Sequence, residues 1–170
     1  MAGDACTVGL YGCGAAAHIV AQVCRWQGRR VLALTRPGDG RAQAFARSLG
    51  AEWAGGSDEA PPAPLAAALI FAPDGSLGPA ARQPVRKGGR VVCGGIHMSD
   101  IPAFPYALLW GERTVLSVAN PTRDDARPLF ELVPRVGIVT RTDTYPLARV
   151  NEAIAAQRST TLRGVAVLVP

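Results

Sequence analysis

Short apolar runs with no polar alternation recur along this chain, separated by helical or loop segments. Residues 6–11, 31–34, 69–72, 90–93 and 114–119 are such runs. A strand without inside–outside alternation must be covered on both faces, as in a parallel sheet held between helical layers. Residues 15–27 carry apolar side chains at helical spacing and are closed by Gly28. Residues 39–49 repeat the pattern, with Asp39 as N-cap and Gly50 as stop. Residues 52–54 read as a short third strand and 55–64 (GGSDEAPPAP) as a loop. Residues 78–83 read as a brief helix, 86–89 as a turn and 123–133 as a helix. This order predicts an α/β fold built on a doubly wound, parallel, six-stranded sheet. Residues 138–145, 150–158 and 164–169 add a strand, an amphipathic helix and a strand, too short to bury a core alone. The expected division is residues 1–137 as one domain and 138–170 as a C-terminal strand–helix–strand appendage.

Bulk composition narrows the function classes. At 170 residues the chain suffices for one well-buried core. Its net charge of +5 comes from scattered arginines, with Lys87 the lone lysine, and few aromatics stand among them. Nucleic-acid binding needs clustered cations interleaved with stacking rings, so no nucleic-acid partner is expected. A generally cationic surface suits phosphate-bearing small molecules better. The longest apolar runs, such as 63–72, are too short for a bilayer and contain proline, so no membrane partner is expected. No leader pattern opens the chain, and a cytoplasmic location is the expectation. Cys6, Cys13, Cys24 and Cys93 form no C-x-x-C pair and lack metal spacing to His18 or His97, so they read as free thiols and no metal site is expected.

One motif carries chemistry. Gly12-Cys13-Gly14-Ala15-Ala16-Ala17 is G-x-G-x-x-A, set between a strand and a helix with a second strand some twenty residues on. Gly12 takes the tight turn, Gly14 lets backbone approach a pyrophosphate, and Ala17 lets the helix pack on the sheet. The free N–H groups of the helix start then face the phosphates, and Cys13, Ala15 and Ala16 join the two glycines as expected cofactor-binding residues. An NAD site places Asp or Glu at the end of the second strand, but this chain has Thr35-Arg36-Pro37. A guanidinium attracts a 2′-phosphate that a carboxylate would repel, and Thr35 offers a hydroxyl beside it. The cofactor therefore reads as NADP, with NAD the less favoured choice. The same missing acid argues against S-adenosylmethionine.

The segments GLYGCGAAAHIVAQV, VLALTRPGDGRAQAFARSLGAEW, LIFAP, VRKGGRVVCGGIHMSDIP, WGERTVLSVAN and YPLARVNEAIAAQRSTTLRGVAVLVP follow one another in order over nearly the whole chain. Together they resemble the cofactor-binding half of a zinc-type alcohol dehydrogenase, of the medium-chain dehydrogenase/reductase superfamily, whose cofactor domain is a Rossmann fold. Thr35-Arg36-Pro37 resembles the Ser-Arg-Pro element of NADP-using members. By position, the resemblance places Ala72 and Pro73, Gly94, Gly95, Ile96 and His97, and Ala119 and Asn120 around the nicotinamide. His97 suits proton transfer by its ordinary pKa but reads more readily as a loop histidine, and His18 as a structural one. The resemblance also implies a homodimer along residues 114–119. It further implies an N-terminal catalytic domain holding the zinc and a proton relay, neither of which this sequence contains, so no catalytic residue is assigned.

Two readings stay open. One is the NADP-binding portion of an oxidoreductase that does not catalyse alone; the other is a stand-alone NADP(H)-binding module or sensor. The apolar strand at 164–169 is expected to have no partner within the chain, which favours the first.

Overall fold

The computed structural model describes residues 6–159, 162 and 164–170. Six parallel strands run in the order β3-β2-β1-β4-β5-β6: β1 Thr7–Tyr11, β2 Arg30–Thr35, β3 Trp53–Gly56, β4 Leu65–Ile70, β5 Val85–Cys93 and β6 Thr114–Ser117. This is the expected α/β, doubly wound architecture. Strand β1 pairs with β2 on one side (Gly9 opposite Leu32) and with β4 on the other (Leu10 opposite Leu69). The order reverses between β1 and β4, and the carboxyl ends of those strands flank the crevice where such sheets take ligands.

Strands β1 and β2 are buried on both faces, as their composition requires, whereas β5 alternates between buried and exposed residues and the edge strand β6 is largely exposed, against the expectation for those runs. Helices α1 (Ala15–Trp26) and α2 (Gly40–Ser48) cover one face, where Val8, Leu10, Val31 and Ala33 meet Ala21, Cys24 and Ala46. Helix α3 (Leu77–Arg82) covers the other, where Tyr11, Leu32, Leu34, Leu65 and Ile70 meet Ala81. Each fully buried Leu or Ile contributes roughly 1.5–3 kcal/mol of burial energy. Gly9 sits mid-strand because Leu65 Cδ1 lies 2.5 Å from where its Cβ would stand. The caps follow the sequence: Asp39 Oδ1 accepts from Ala42 N–H at 2.9 Å, and Gly50 ends α2 with φ +87°.

Several expected boundaries shift. The strand expected at 69–72 is β4 at Leu65–Ile70, because Ala66-Ala67-Ala68, weak strand formers in isolation, are held between β1 and β5. The turn expected at 86–89 lies inside β5, where a register irregularity opposite Leu65–Ala67 accommodates Gly88 at φ +70°. The third strand extends through Gly55 and Gly56, which the sequence assigns to the loop. Two crossovers carry little helix. The β3–β4 connection has none, and the β5–β6 connection holds only a 3₁₀ turn, Tyr106–Leu108. Helix α4 (Arg123–Val136) outlasts the expected 133, carried by a Thr122–Asp125 capping box and continuing past Pro128 and Pro134.

One expectation is overturned. The terminal strand does have a partner: β7 (Thr142–Pro146) pairs in parallel with β8 (Val165–Val169) from Thr142 opposite Val165 to Pro146 opposite Val169. Helix α5 (Val150–Arg158) bridges them, so the tail is a small β–α–β unit with its own two-stranded sheet. Local periodicity cannot show this pairing, since the two strands are joined only through a helix. The Gln22 amide on α1 ties the segment before β7 to the larger sheet. It donates to Val139 O at 3.0 Å and accepts from Val139 N–H at 2.9 Å.

Candidate dinucleotide-binding site

The carboxyl ends of five strands are tied side by side by backbone bonds beyond their ladders. Gly12 N–H donates to Leu34 O (2.9 Å), Phe71 and Ala72 N–H to Tyr11 O (2.9 and 3.3 Å), Gly94 N–H to Ile70 O (2.8 Å) and Val118 N–H to Cys93 O (3.1 Å). Gly12 adopts φ +91°, and an added Cβ would stand 3.1 Å from Ala72 N, so both conformation and space demand glycine. Gly95 is placed beside the same residue, its added Cβ 3.6 Å from Ala72 O. Gly12, Ala72, Gly94 and Gly95 thus converge at the point where the strand order reverses.

Gly14 behaves differently from Gly12. Its φ of −91° is open to any residue, and an added Cβ would meet nothing within 4 Å. Gly14 is the N-cap of α1 with no side-chain capping bond, and the first turn holds no acid. Ala15 and Ala16 are exposed there, so the leading N–H groups of a twelve-residue helix open onto free space. Donors at a helix N-terminus that lack protein partners among the described residues fit a pyrophosphate. Between the glycines, burial first and the Asp39 carboxylate second push the Cys13 thiol up to about 11. At neutral pH Cys13 therefore adds no negative charge to the turn.

The other expected residues distribute unevenly. Thr35 is buried, and its hydroxyl already lies within hydrogen-bond reach of Arg36 O (3.1 Å) and Gly55 O (3.3 Å), which it donates to. Its single proton is directed at backbone carbonyls rather than at the crevice. Arg36 is exposed, and among the described residues it has no ion-pair partner. Pro73, Ile96, His97, Ala119 and Asn120 are exposed on loops beyond the strand ends, Ile96 at 79%. His18, by contrast, is 1% exposed on α1, with both ring nitrogens unpartnered among the described residues and Phe45 6.3 Å away.

Sequence reasoning passed over the turn after β3. Ser57 N–H donates to Thr35 O (2.8 Å), so Ser57-Asp58-Glu59 lies directly against the end of β2. Glu59 Oε1 accepts from Gly56 N–H at 2.6 Å. The signal was the strand order itself: in a 3-2-1 arrangement the residues following β3 neighbour those following β2. The helix-free β3–β4 connection also leaves a groove of about 750 Å³ on the α3 face, lined by Tyr11, Asp58, Pro62, Val85, Arg86 and Arg113 among others, so the turn after β3 borders it. None of the residues expected to hold cofactor lines it. Among the described residues no three His, Cys, Asp or Glu side chains gather as a metal site. No helix there is long and apolar enough to cross a membrane.

Similarity to known proteins agrees with this geometry. No protein-family model matches the chain. The probable alcohol dehydrogenase AdhA of Mycobacterium tuberculosis is 39% identical over 163 residues, 95% of this chain and 46% of that protein. Over nearly its whole length the chain is thus similar to part of an alcohol dehydrogenase. It spans about half the length of the curated relative it matches. Among solved structures, acetophenone reductase from Geotrichum candidum in complex with NAD superposes with a TM-score of 0.83 at 20% identity, over 97% of this chain and 48% of that one. YhdH of E. coli K-12 with bound NADPH gives 0.75 at 16% identity, over 96% and 54%. At those identities the likeness is one of fold.

The Gly14 geometry yields a clean test. Gly14→Val starts from a Cβ that meets nothing within 4 Å, so nicotinamide dinucleotide binding should vanish in calorimetry while the melting temperature falls only by the small cost of valine at an N-cap. Retained binding would exclude this turn as the phosphate site.

Proposed function

We propose that this chain binds a nicotinamide dinucleotide for an oxidoreductase of the alcohol dehydrogenase family, prefers NADP(H) over NAD(H), and does not transfer hydride alone. The observation that carries the reading is the Gly12–Gly14 turn, opening unpaired helix donors at the reversal point of the sheet. AdhA is a probable alcohol dehydrogenase, and the two superposed structures hold NAD and NADPH, which supports this ligand class. The dinucleotide, once bound, supplies a hydride at its nicotinamide ring. The chain's own part is to hold it: backbone N–H groups of Gly14, Ala15 and Ala16 receive the pyrophosphate, with Cys13 neutral between the glycines. Arg36 receives the 2′-phosphate, and the ends of β4, β5 and β6 border the nicotinamide. Around that ring, Ala72, Pro73, Gly94, Gly95, Ile96, Ala119 and Asn120 bring no titratable side chain, and His97 stands by itself.

The stand-alone binding module is favoured by one observation: β8 is paired with β7, which removes the unpaired-strand argument against it. In either reading we expect a homodimer along β6, a sheet edge on which Leu116 is 43% exposed and just beyond which Val118 is 58% exposed.

Calorimetry with NADPH and NADH tests the cofactor reading. NADPH should bind more tightly, and Arg36→Ala should weaken it by about 1–3 kcal/mol while leaving NADH nearly unchanged. Equal affinities, or tighter NADH, would reject the role of Arg36. Light scattering at micromolar concentration should give twice the 17.7 kDa chain mass, and a monomer would reject the dimer.

A further inference from the structure

The end of β2 lacks the carboxylate that accepts hydrogen bonds from the adenosine ribose, yet a carboxylate stands beside it on the neighbouring strand's turn. Three contacts place it. Ser57 N–H donates to Thr35 O at 2.8 Å, and Thr35 Oγ1 reaches Gly55 O at 3.3 Å, so the two strand ends are locked together. A Cβ built on Gly56 would run into Asp58 Oδ1 while lying 3.3 Å from Pro37 Cα, which puts the Asp58 carboxylate next to the residue that follows Arg36. Arg36 and Asp58 are thus each one residue beyond the same interstrand hydrogen bond.

The neighbouring carboxylates are already engaged. Glu59 Oε1 accepts from Gly56 N–H, and Asp39 Oδ1 accepts from Ala42 N–H as the cap of α2. Asp58 is exposed, helps to line the groove on the α3 face, and among the described residues its carboxylate has no hydrogen bond or ion pair. Gly55 and Gly56 bring the turn this close: a side chain on Gly55 would meet Trp53, and one on Gly56 would meet Asp58 itself and Glu59.

We infer that Asp58 is a specificity-determining residue of the dinucleotide site, supplying from β3 the ribose-facing carboxylate that β2 lacks. It opposes Arg36: a free 2′-hydroxyl donates to a carboxylate, whereas a 2′-phosphate is repelled by it. The NADP preference is then the balance of two side chains on adjacent strands. This rests on the proposed dinucleotide function.

The test is calorimetry on the full chain with NADPH and NADH, for wild type, Asp58→Asn, Arg36→Ala and the double variant, at low and high salt. Asp58→Asn should raise the NADPH-to-NADH affinity ratio by about tenfold, from tighter NADPH and weaker NADH, with the NADPH gain shrinking as salt rises. Arg36→Ala should move the ratio the other way, and the double variant should fall between. An unchanged ratio in Asp58→Asn, with both nucleotides still bound, would overturn the inference. So would a lowered ratio, which would mean that Asp58 serves Arg36 rather than opposing it. If wild type binds neither nucleotide, the underlying function fails instead, and a melting curve matching wild type separates either result from misfolding.

Discussion

Gly12 turns the chain where β1 ends, and everything proposed for the site depends on how little room it has. Its positive φ and the 3.1 Å between an added Cβ and Ala72 N mean that the ends of β1 and β4 close on each other through backbone alone. That closeness lets Phe71 and Ala72 bond to Tyr11 O. It also aims the following residues at α1, whose first N–H groups consequently open away from the sheet instead of into it. A bulkier residue at position 12 would part the strands at the reversal point of the order, and the cradle at Gly14 would lose its position.

Glycine therefore does two separate jobs two residues apart. At position 12 it is required by the protein's own packing, whereas at position 14 it is required by nothing within the protein. Space that no neighbouring atom fills, beside helix donors with no protein partner among the described residues, leaves room for a ligand. The reading of the motif rests on that contrast rather than on the spelling of G-x-G-x-x-A, which many tight strand–helix turns share.

What could be read from the sequence depended on how local the determinants were. Helices α1 and α2 were legible to within a residue or two because Gly28, Asp39 and Gly50 punctuate them. Strand β4 was misplaced because three consecutive alanines carry no strand signal until β1 and β5 flank them. The β7–β8 pairing was invisible because its register is set across a helix. At the site, the glycine turn was legible from spacing alone. The engagement of the Thr35 hydroxyl was not, since Gly55 lies twenty residues away on another strand. Asp58 was hidden for the same reason, as a loop residue by composition that becomes a neighbour of Arg36 only once β3 lies against β2.

The central claim is that the turn before α1 receives the phosphates of a dinucleotide. Backbone amide NMR of the uniformly labelled chain, titrated with NADPH, tests it most directly. The account predicts the largest shifts at the amides of Gly12 to Ala17, with lesser ones at Arg36 and Gly94–Gly95. Shifts centred instead on the groove beside Tyr11, Arg86 and Arg113, with the Gly12–Ala17 amides unmoved, would contradict it.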